Sequence, residues 1–458
     1  MDTETRRAIT EDLDDTLVVE AAAGTGKTTE LVNRILRVLA TGRARMTEIV
    51  AVTFTEKAAG ELKLRLREAL ERVRADAIDV EVRARLDDAL ATLEEAHVNT
   101  IHGFCAELLR ERPVEAEVDP LFTVLTEPQS ERLYARAFRG WLQDALGDPP
   151  EGLRRALRRT SAPSFGGGDN DGPIDRLRNA GRTLAEWRDF THPWVRPPFD
   201  REAAIDGHVA ALHALADLTA AGSARDNLFV DTAAVRRLSR QIQLEASFGG
   251  RDLDGWEARL VDLTRDRGFS RTRKGSGYKF GKQNGRDVTR SEVLSARDLF
   301  FAALQQFRQQ ADADLAASLQ QELAGATERY QALKRAAGAL DFTDLLARAR
   351  DLIKHNAGVR RHLQTKFTRI FVDEFQDTDP IQAEILRLLA GGEPGKLFIV
   401  GDPKQAIYRF RGTDVGTYWA VCDDLAAGGG RVLQLTTSYR SVPAIQRFVN
   451  AEIGRAHV

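Results

Sequence analysis

Short apolar runs alternate with amphipathic stretches at both ends of the chain. The runs are rich in Val, Ile and Phe, which is typical of buried strands. The stretches that follow them carry apolar residues three and four positions apart, which predicts helices. The predicted strands are residues 17–19, 48–54, 96–100, 369–377, 396–402 and 432–435. Five strand-then-helix units imply a parallel sheet with helices on both faces, so we predict an α/β fold.

The middle of the chain has a different pattern. Helical periodicity dominates residues 112–339, the strand pattern disappears and the connections lengthen. Residues 161–172, rich in Gly, Ser and Asp, predict a mobile loop or linker. Residues 340–346 begin a helix that returns to the α/β pattern. We therefore predict one α/β part over 1–111, a large, mostly helical insertion domain over 112–339 and another α/β part over 340–431.

A basic run lies inside the predicted insertion. Residues 265–290 carry nine Lys and Arg side chains, interleaved with Phe269, Tyr278, Phe280 and five glycines. A flexible basic arm with aromatic residues suits a phosphate backbone. A solvated Gly-rich loop explains the same composition, and the pattern leaves both interpretations open.

Composition narrows the class of protein. The 458 residues are 43% apolar and 29% charged, with a net charge of −2, so any nucleic-acid surface must be a local patch. Cys105 and Cys422 are the only cysteines, which excludes a disulfide framework and fits a reducing cytoplasm. The sequence contains neither an apolar signal-peptide core at its start nor an apolar run long enough to span a bilayer. We expect a cytoplasmic protein without a membrane partner.

A phosphate-binding loop is predicted between the first strand and the first amphipathic helix. Gly24 and Gly26 let the backbone approach a phosphate, and the helix N-terminus adds its positive dipole end. Lys27 reaches the β- and γ-phosphates in such loops, and the Thr28 hydroxyl binds Mg²⁺. The predicted binding residues are Ala21, Ala22, Ala23, Gly24, Thr25, Gly26, Lys27, Thr28 and Thr29. The alternative is a βα turn that binds nothing, since Ala21 replaces the usual first glycine.

A second acidic and polar cluster narrows the chemistry to hydrolysis. Asp373 follows three apolar residues and is a candidate ligand for the Mg²⁺ that Thr28 binds. Glu374 is a candidate general base for the attacking water. The alternative is that the acids at this strand end only cap the helix that follows. Gln405 is placed to contact the γ-phosphate and that water, and Arg440 to supply positive charge to the transferring group.

Two further strand ends carry polar residues. Thr55 and Lys57 follow the second strand, and His102 follows the third. Ligands bind at the carboxyl ends of strands in open α/β sheets. A lone His102 is more often structural than functional, but its place at a strand end favours function.

Seven motifs together resemble superfamily 1 DNA helicases of the UvrD/RecB/AddA type. They are AAAGTGKTT (21–29), VTFTEKAAGELKLRL (52–66), NTIHGFC (99–105), LDFTDLL (340–346), VDEFQDTDPIQ (372–382), VGDPKQAIYRFRGTD (400–414) and SYRS (438–441). The resemblance implies a P-loop NTPase (RecA-like) parallel sheet core that uses ATP and Mg²⁺. Residues 5–9, where some helicases carry an adenine-reading glutamine, contain none.

The resemblance also implies roles for individual residues. Tyr439 would stack on the adenine. Tyr408 and Phe410 would contact bases, and Arg411 would bridge to an acid inside the site. The single-strand track would be lined by Thr53, Phe54, Thr55, Thr100 and His102. For Phe54 and Phe410 a place in the hydrophobic core remains the alternative.

By the same resemblance, the function is that of an ATP-dependent 3′→5′ DNA helicase or translocase in double-strand break repair and recombination. Single-stranded and duplex DNA and partner nuclease or helicase subunits are the implied partners, and the basic run would reach the duplex. The alternatives are an ATP- and DNA-binding module that anchors or regulates a partner without unwinding, and an RNA helicase of the same superfamily.

The end of the chain carries one further expectation. Residues 432–451 resemble the start of a second motor domain, and the two later motifs of the family are absent. Residues 452–458 resemble the translation of a sequencing adapter, so we expect a gene fragment with a non-native tail. We expect such a fragment to bind ATP weakly and to separate no strands.

Overall fold

The computed structural model describes residues 2–159, 172–189, 193–196, 198–273, 277–406, 415–440 and 442–456. The chain divides into two compact units: Met1–Leu125 with Gly338–Val458, and Thr126–Ala337. The predicted loop at 161–172 lies outside the described residues, except Gly172. Residues 112–125, which the sequence assigned to the insertion, belong to the first unit. The reason is that Phe122 is buried in the core of that unit, and strand Thr123–Val124 pairs with Ala339–Leu340.

The strands of the described residues form three sheets. In chain order they are β1 (Leu17–Ala21), β2 (Ile49–Thr53), β3 (His97–Thr100), β4 (Thr123–Val124), β5 (Lys279–Gln283), β6 (Arg286–Thr289), β7 (Ala339–Leu340), β8 (Arg369–Val372), β9 (Leu397–Gly401) and β10 (Arg431–Leu435). The first unit holds a six-stranded sheet in the order β10-β1-β9-β8-β2-β3, and its strands pair in parallel. The predicted α/β fold is confirmed.

The α-helices of the described residues surround this sheet and build most of the second unit. They are α1 (Asp2–Glu11), α2 (Lys27–Ala40), α3 (Glu56–Asp76), α4 (Val80–Ala91), α5 (Ile101–Glu111), α6 (Glu127–Ala145), α7 (Glu151–Arg158), α8 (Pro173–Glu186), α9 (Arg201–Ala220), α10 (Asn227–Asp231), α11 (Ala233–Ser247), α12 (Leu253–Leu263), α13 (Arg267–Ser270), α14 (Arg290–Ala336), α15 (Phe342–His355), α16 (Ala357–Lys366), α17 (Pro380–Ala390), α18 (Val415–Ala427) and α19 (Pro443–Ala456). Within the described part of the chain, no helix has the length and apolarity needed to cross a membrane.

Both faces of the six-stranded sheet are buried, which explains the continuous apolar runs of its strands. Side chains alternate between two faces along a strand. Val18 therefore joins the core under α5, α15 and α17, whereas its neighbours Leu17 and Val19 join the core under α2 and α3. Parallel strands that are covered by helices on both faces have this composition. The carboxyl ends of all six strands consequently meet at one edge.

The second unit is mostly helical but contains a hairpin that the sequence did not predict. Strands β5 and β6 pair antiparallel within the basic run. Asn284 and Gly285, with φ of 49° and 81°, form the turn that Asn-Gly favours in two-residue hairpins. Phe280 and Val288 are buried beneath the hairpin. The sequence of residues 112–339 showed no strand pattern at this hairpin, because the charged outer positions hid the short alternation.

Candidate functional site

The loop between β1 and α2 has the backbone shape that the sequence predicted. Gly24 and Gly26 have φ of 79° and 89°, a region that disfavours other residues. The Thr25 hydroxyl donates to the carbonyl of Ala22 at 2.8 Å, which closes the loop on itself. A Cβ atom at Gly24 would lie 2.5 Å from the Cβ of Arg440, so glycine is required there for space as well.

The N-terminus of α2 opens directly onto this loop. The helix begins at Lys27, and Gly26 provides no side-chain cap. The first N–H groups of a helix have no partner within the helix, and the macrodipole makes this end positive. Uncapped N–H groups beside a glycine loop are suited to bind phosphate oxygens. Of the other residues in the predicted set, Ala21 to Ala23 form the end of β1 and the start of the loop, and Thr29 lies in α2.

Two pairs of side chains connect this loop with the end of β8. Lys27 Nζ donates to Glu374 Oε2 at 2.9 Å, although the two residues are 347 positions apart in sequence. The Thr28 hydroxyl donates to Asp373 Oδ2 at 3.2 Å. Only β9 lies between β1 and β8 in the sheet, so the fold itself brings the two motifs together.

Burial raises the pKa values of two acids of this site, Asp373 and Asp377. Desolvation, followed by repulsion from Glu374, raises the pKa of Asp373 to about 6, and the same causes raise the pKa of Asp377 to about 6. Oδ1 of Asp377 is buried without a hydrogen-bond partner among the described residues. Two carboxylates whose pKa values are raised by burial and by the charge of the same third acid are typical of a site that a cation completes.

The same residues fit a Mg²⁺ ion that a nucleotide brings with it. The described residues contain no group of three His, Cys, Asp or Glu side chains able to hold a metal ion by themselves. Mg²⁺ is usually bound through one or two carboxylates, with phosphates and water as its other ligands. A hydroxyl and a carboxylate, Thr28 and Asp373, are therefore an adequate protein contribution.

Gln376 is a residue of this site that the sequence analysis missed. Its Nε2 donates to Glu374 Oε2 at 2.8 Å, and its Oε1 accepts from the backbone N–H of Asp402 at 2.8 Å. The backbone of Glu374 is left-handed, with φ of 53°, which is uncommon for a residue with a side chain. Gln376 thus joins the Glu374 carboxylate to the segment that follows β9. Its place in DEFQD was the available signal.

Gln405 and Arg440 come from the two strands on either side of β1. Gln405 lies in the 3₁₀ turn Pro403–Gln405 after β9, and its Nε2 donates to Asp402 Oδ2 at 2.5 Å. Arg440 follows β10 and is exposed, with its Cβ against Gly24. Both residues therefore extend from the edge of the sheet that carries Lys27.

Tyr439 lies against the glycine loop through its backbone, while its ring faces outward. Its N–H donates to the carbonyl of Gly24 at 2.7 Å, and its side chain is exposed. The guanidinium carbon of Arg6 lies 5.3 Å from the centroid of the Tyr439 ring. An exposed ring beside a phosphate loop is accessible for stacking on a base.

The predicted single-strand residues gather at the ends of β2 and β3. Thr53 is buried and paired in register with Thr100, whose hydroxyl donates to Glu56 Oε1 at 2.7 Å and caps α5. Thr55 caps α3. A groove of about 450 Å³ lies here, lined in part by Phe54, Thr100, His102 and Phe342.

Phe342 is a further residue of this groove that the sequence analysis did not identify. The ring of His102 lies edge-on to the ring of Phe342 at 5.3 Å between centroids. Phe342 opens α15 at the return to the first unit, so it comes from a distant part of the sequence. The predicted contacts Tyr408, Phe410 and Arg411 lie outside the described residues.

Much of the basic run is paired with acids. Ion pairs join Arg273 to Asp231 at 2.8 Å and Lys279 to Asp287 at 2.8 Å. Further pairs are Arg265 with Asp262, Arg286 with Glu292 and Arg290 with Asp226. Residues 277–290 are thus a folded hairpin with the start of α14, and their proposed contact with duplex DNA remains a prediction.

Known proteins resemble this chain over most of its length. The family model of the UvrD/REP helicase N-terminal domain matches residues 1–426. An ATP-dependent helicase/nuclease subunit from Natranaerobius thermophilus is 25% identical over 98% of this chain. Proteins of the same name from Bacillus cereus and Latilactobacillus sakei are 27% and 24% identical over 93% and 87% of it. The chain spans 37%, 37% and 48% of the lengths of these three relatives. With the family model matching nearly all of its residues, the chain belongs to the UvrD/REP helicase family.

Proposed function

We propose that this chain is the nucleotide-binding part of an ATP-driven DNA helicase or translocase that moves 3′→5′ on single-stranded DNA. Double-strand break repair and recombination are the proposed cellular roles. The family match and the helicase/nuclease name of the relatives support this proposal. Because those relatives are named as subunits, we also propose partner helicase or nuclease subunits.

The observation that carries the proposal is the double pairing of Lys27 with Glu374 and of Thr28 with Asp373. Lys27 is nearly buried, so its charge needs a partner at all times. A γ-phosphate replaces Glu374 as that partner, which frees the carboxylate to accept a proton from the attacking water. Mg²⁺, held through Thr28 and Asp373, would neutralise phosphate charge during the transfer.

Other residues of the chain complete the proposed mechanism. Gln376 keeps one oxygen of Glu374 occupied, so that the other oxygen faces the water. Gln405 orients the water and the γ-phosphate, and Arg440 stabilises the charge that develops on the transferring group. Tyr439 stacks on the base. The groove beside Thr100 and His102 holds single-stranded DNA, in which stacking tolerates any sequence.

The test is ATP hydrolysis by Glu374→Gln, with and without single-stranded DNA. Loss of a general base lowers kcat by about 10²–10⁴-fold, while nucleotide binding is retained. Glu384→Gln is the matched control, because Glu384 pairs with Lys354 on the outside of the neighbouring helix α17. Equal hydrolysis in Glu374→Gln and the unmodified chain would support a non-unwinding binding module instead. Stronger stimulation by RNA than by DNA would support an RNA helicase.

A further inference from the structure

The Thr53 hydroxyl is a buried polar group without a hydrogen-bond partner among the described residues. Thr53 is the last residue of β2, and only 4% of its surface is exposed. An unpaired buried hydroxyl is costly and is rare in folded proteins. The nearby Thr55 differs, since it is exposed and its hydroxyl caps α3. Burial leaves Thr53 little side-chain surface for a DNA strand, so its hydroxyl needs a partner from inside the protein.

Thr53 lies on the face of the sheet that carries the proposed metal ligands. Side chains alternate between the two faces along a strand. Ala51 and Phe371 belong to the core under α2 and α3. The residues two positions further along these strands, Thr53 and Asp373, therefore lie on the same face. The hydrogen bond from Thr28 of α2 to Asp373 agrees with this placement.

Thr53 and Asp373 are also neighbours across the sheet. Strands β2 and β8 pair in parallel, with Val52 opposite Val372. The N–H of Asp373 donates to the carbonyl of Val52 at 2.9 Å, which continues the ladder by one step. Adjacent strands lie about 4.8 Å apart, a distance that one water molecule can bridge. The unpaired hydroxyl therefore lies beside the acid that is the candidate Mg²⁺ ligand.

We propose that Thr53 is a positioning residue of the metal–nucleotide site, in which its hydroxyl binds a water ligand of Mg²⁺, and that it is not a contact for single-stranded DNA. The inference rests on the proposed function, because the ion arrives with the nucleotide. Mg²⁺ dehydrates reluctantly and keeps several water ligands in such sites. A metal-bound water donates its protons outward, and a hydroxyl oxygen accepts one of them. Residues that hold the ligands of a metal in this way fix their orientation.

The experiment measures binding of the non-hydrolysable ATP analogue AMP-PNP to the full chain by calorimetric titration, with saturating Mg²⁺ and with EDTA. We expect Mg²⁺ to tighten binding by the unmodified chain. Thr53→Val replaces the hydroxyl with a methyl group and should reduce this enhancement by about tenfold, while binding in EDTA stays the same. Thr219→Val is the matched control, because Thr219 is also buried but lies in the second unit, where its hydroxyl donates to a carbonyl of its own helix.

A second variant and two further measurements separate the possible roles of Thr53. Thr53→Ser keeps the hydroxyl and should retain most of the enhancement. Thr53→Val should not lower the melting temperature of the nucleotide-free chain, because the hydroxyl that it removes has no partner among the described residues. It should also leave the dissociation constant for single-stranded DNA unchanged, and weaker DNA binding would indicate a DNA contact instead.

The outcomes distinguish this inference from the proposed function. Absence of a Mg²⁺ enhancement in the unmodified chain, or an unchanged enhancement in Thr53→Val, overturns the inference but leaves nucleotide binding in place. An equal loss of binding with Mg²⁺ and with EDTA, which a packing defect produces, also overturns it. Failure of the unmodified chain to bind the analogue under either condition overturns the inference and the proposed function together.

Discussion

At the scale of single residues, Gly24 is where the glycine loop packs closely against the segment that follows β10. Gly24→Ala places a methyl group 2.5 Å from Arg440 Cβ and 2.8 Å from Ser438 Oγ, at a φ of 79°. We expect a cost of about 1–3 kcal/mol, because strain and contact add, and weaker nucleotide binding. Gly60→Ala in α3 is the control, since no described atom beyond its chain neighbours and the backbone of its own helix lies within 4 Å of the added methyl group. That variant should gain about 0.5–1 kcal/mol of stability, and chemical denaturation measures both changes.

Gln376 is the second residue whose removal tests the site. Gln376→Leu keeps the volume but deprives Glu374 of one hydrogen bond and Asp402 of another. A hydrogen bond to a charged group is worth about 1.5–3 kcal/mol, so kcat should fall about tenfold or more. The KM for ATP should change little, because Gln376 forms no hydrogen bond with the glycine loop in the described part of the chain. A rise in KM with unchanged kcat in steady-state hydrolysis would contradict a positioning role.

The role of a residue could be predicted from the sequence only where the residue belongs to a local motif. The acidic pair at 373–374 and the loop at 21–29 were predictable because each is a local motif at a strand end. The contacts of Arg6 with Thr25 and Glu30 were not predictable, because α1 meets the loop only through the tertiary fold. Phe342 was missed for the same reason, since α15 reaches the groove after an excursion of more than 200 residues.

At the scale of elements, local patterns predicted the sheet better than the hairpin. A strand that is buried on both faces is a continuous apolar run, which is easily recognised in the sequence. Strands β5 and β6 bury only Phe280 and Val288, and their other positions are glycine, polar or charged. The stronger signal in the sequence was the Asn284-Gly285 pair, because these two residue types readily adopt the positive φ that a two-residue hairpin turn needs.

An acid-sensitive contact joins two helices of the second unit. Arg259 of α12 holds the Glu245 carboxylate of α11 with an Nη2–Oε2 distance of 2.7 Å. Its hydrogen bonds, opposed by desolvation, lower the pKa of Glu245 from 4.5 to about 2. The unfolded chain therefore binds a proton first, so the stabilisation is complete above about pH 4.5 and is lost as the pH falls toward 2.

Glu245→Gln tests this contact. At pH 7 the variant should lose about 1–2 kcal/mol, a value reduced for the solvent screening of a partly exposed pair. Near pH 2, where the carboxylate is about half protonated in the folded chain, the deficit of the variant should shrink to about 0.4 kcal/mol. Glu202→Gln is the control, because Glu202 is an exposed acid whose partner is Arg251. Urea denaturation at both pH values measures the difference, and a deficit at pH 2 as large as that at pH 7 would indicate a packing effect.

At the scale of the whole molecule, each unit has hydrophobic clusters of its own. The clusters on the two faces of the sheet belong to the first unit, and those around α6, α9 and α14 belong to the second. A segment with its own core can unfold as one cooperative step. The predicted nucleotide-binding residues all lie in the first unit. A bound nucleotide and a mutation in the core of the second unit should therefore change different unfolding transitions.

Substitution of Arg155 should destabilise the second unit and leave the first unit unchanged. Its side chain is completely buried and forms ion pairs with Asp314 at 2.6 Å and Glu257 at 3.1 Å, which are themselves buried. Arg155→Met leaves both buried carboxylates with less positive charge beside them. The substitution should lower the free energy of unfolding of the second unit by about 3 kcal/mol. Mg·ATP at about 100 times its dissociation constant should instead stabilise the first unit by about 2.7 kcal/mol. Differential scanning calorimetry should therefore show two transitions, one lowered by the variant and the other raised by the nucleotide. If both changes move the same transition, the two units unfold together.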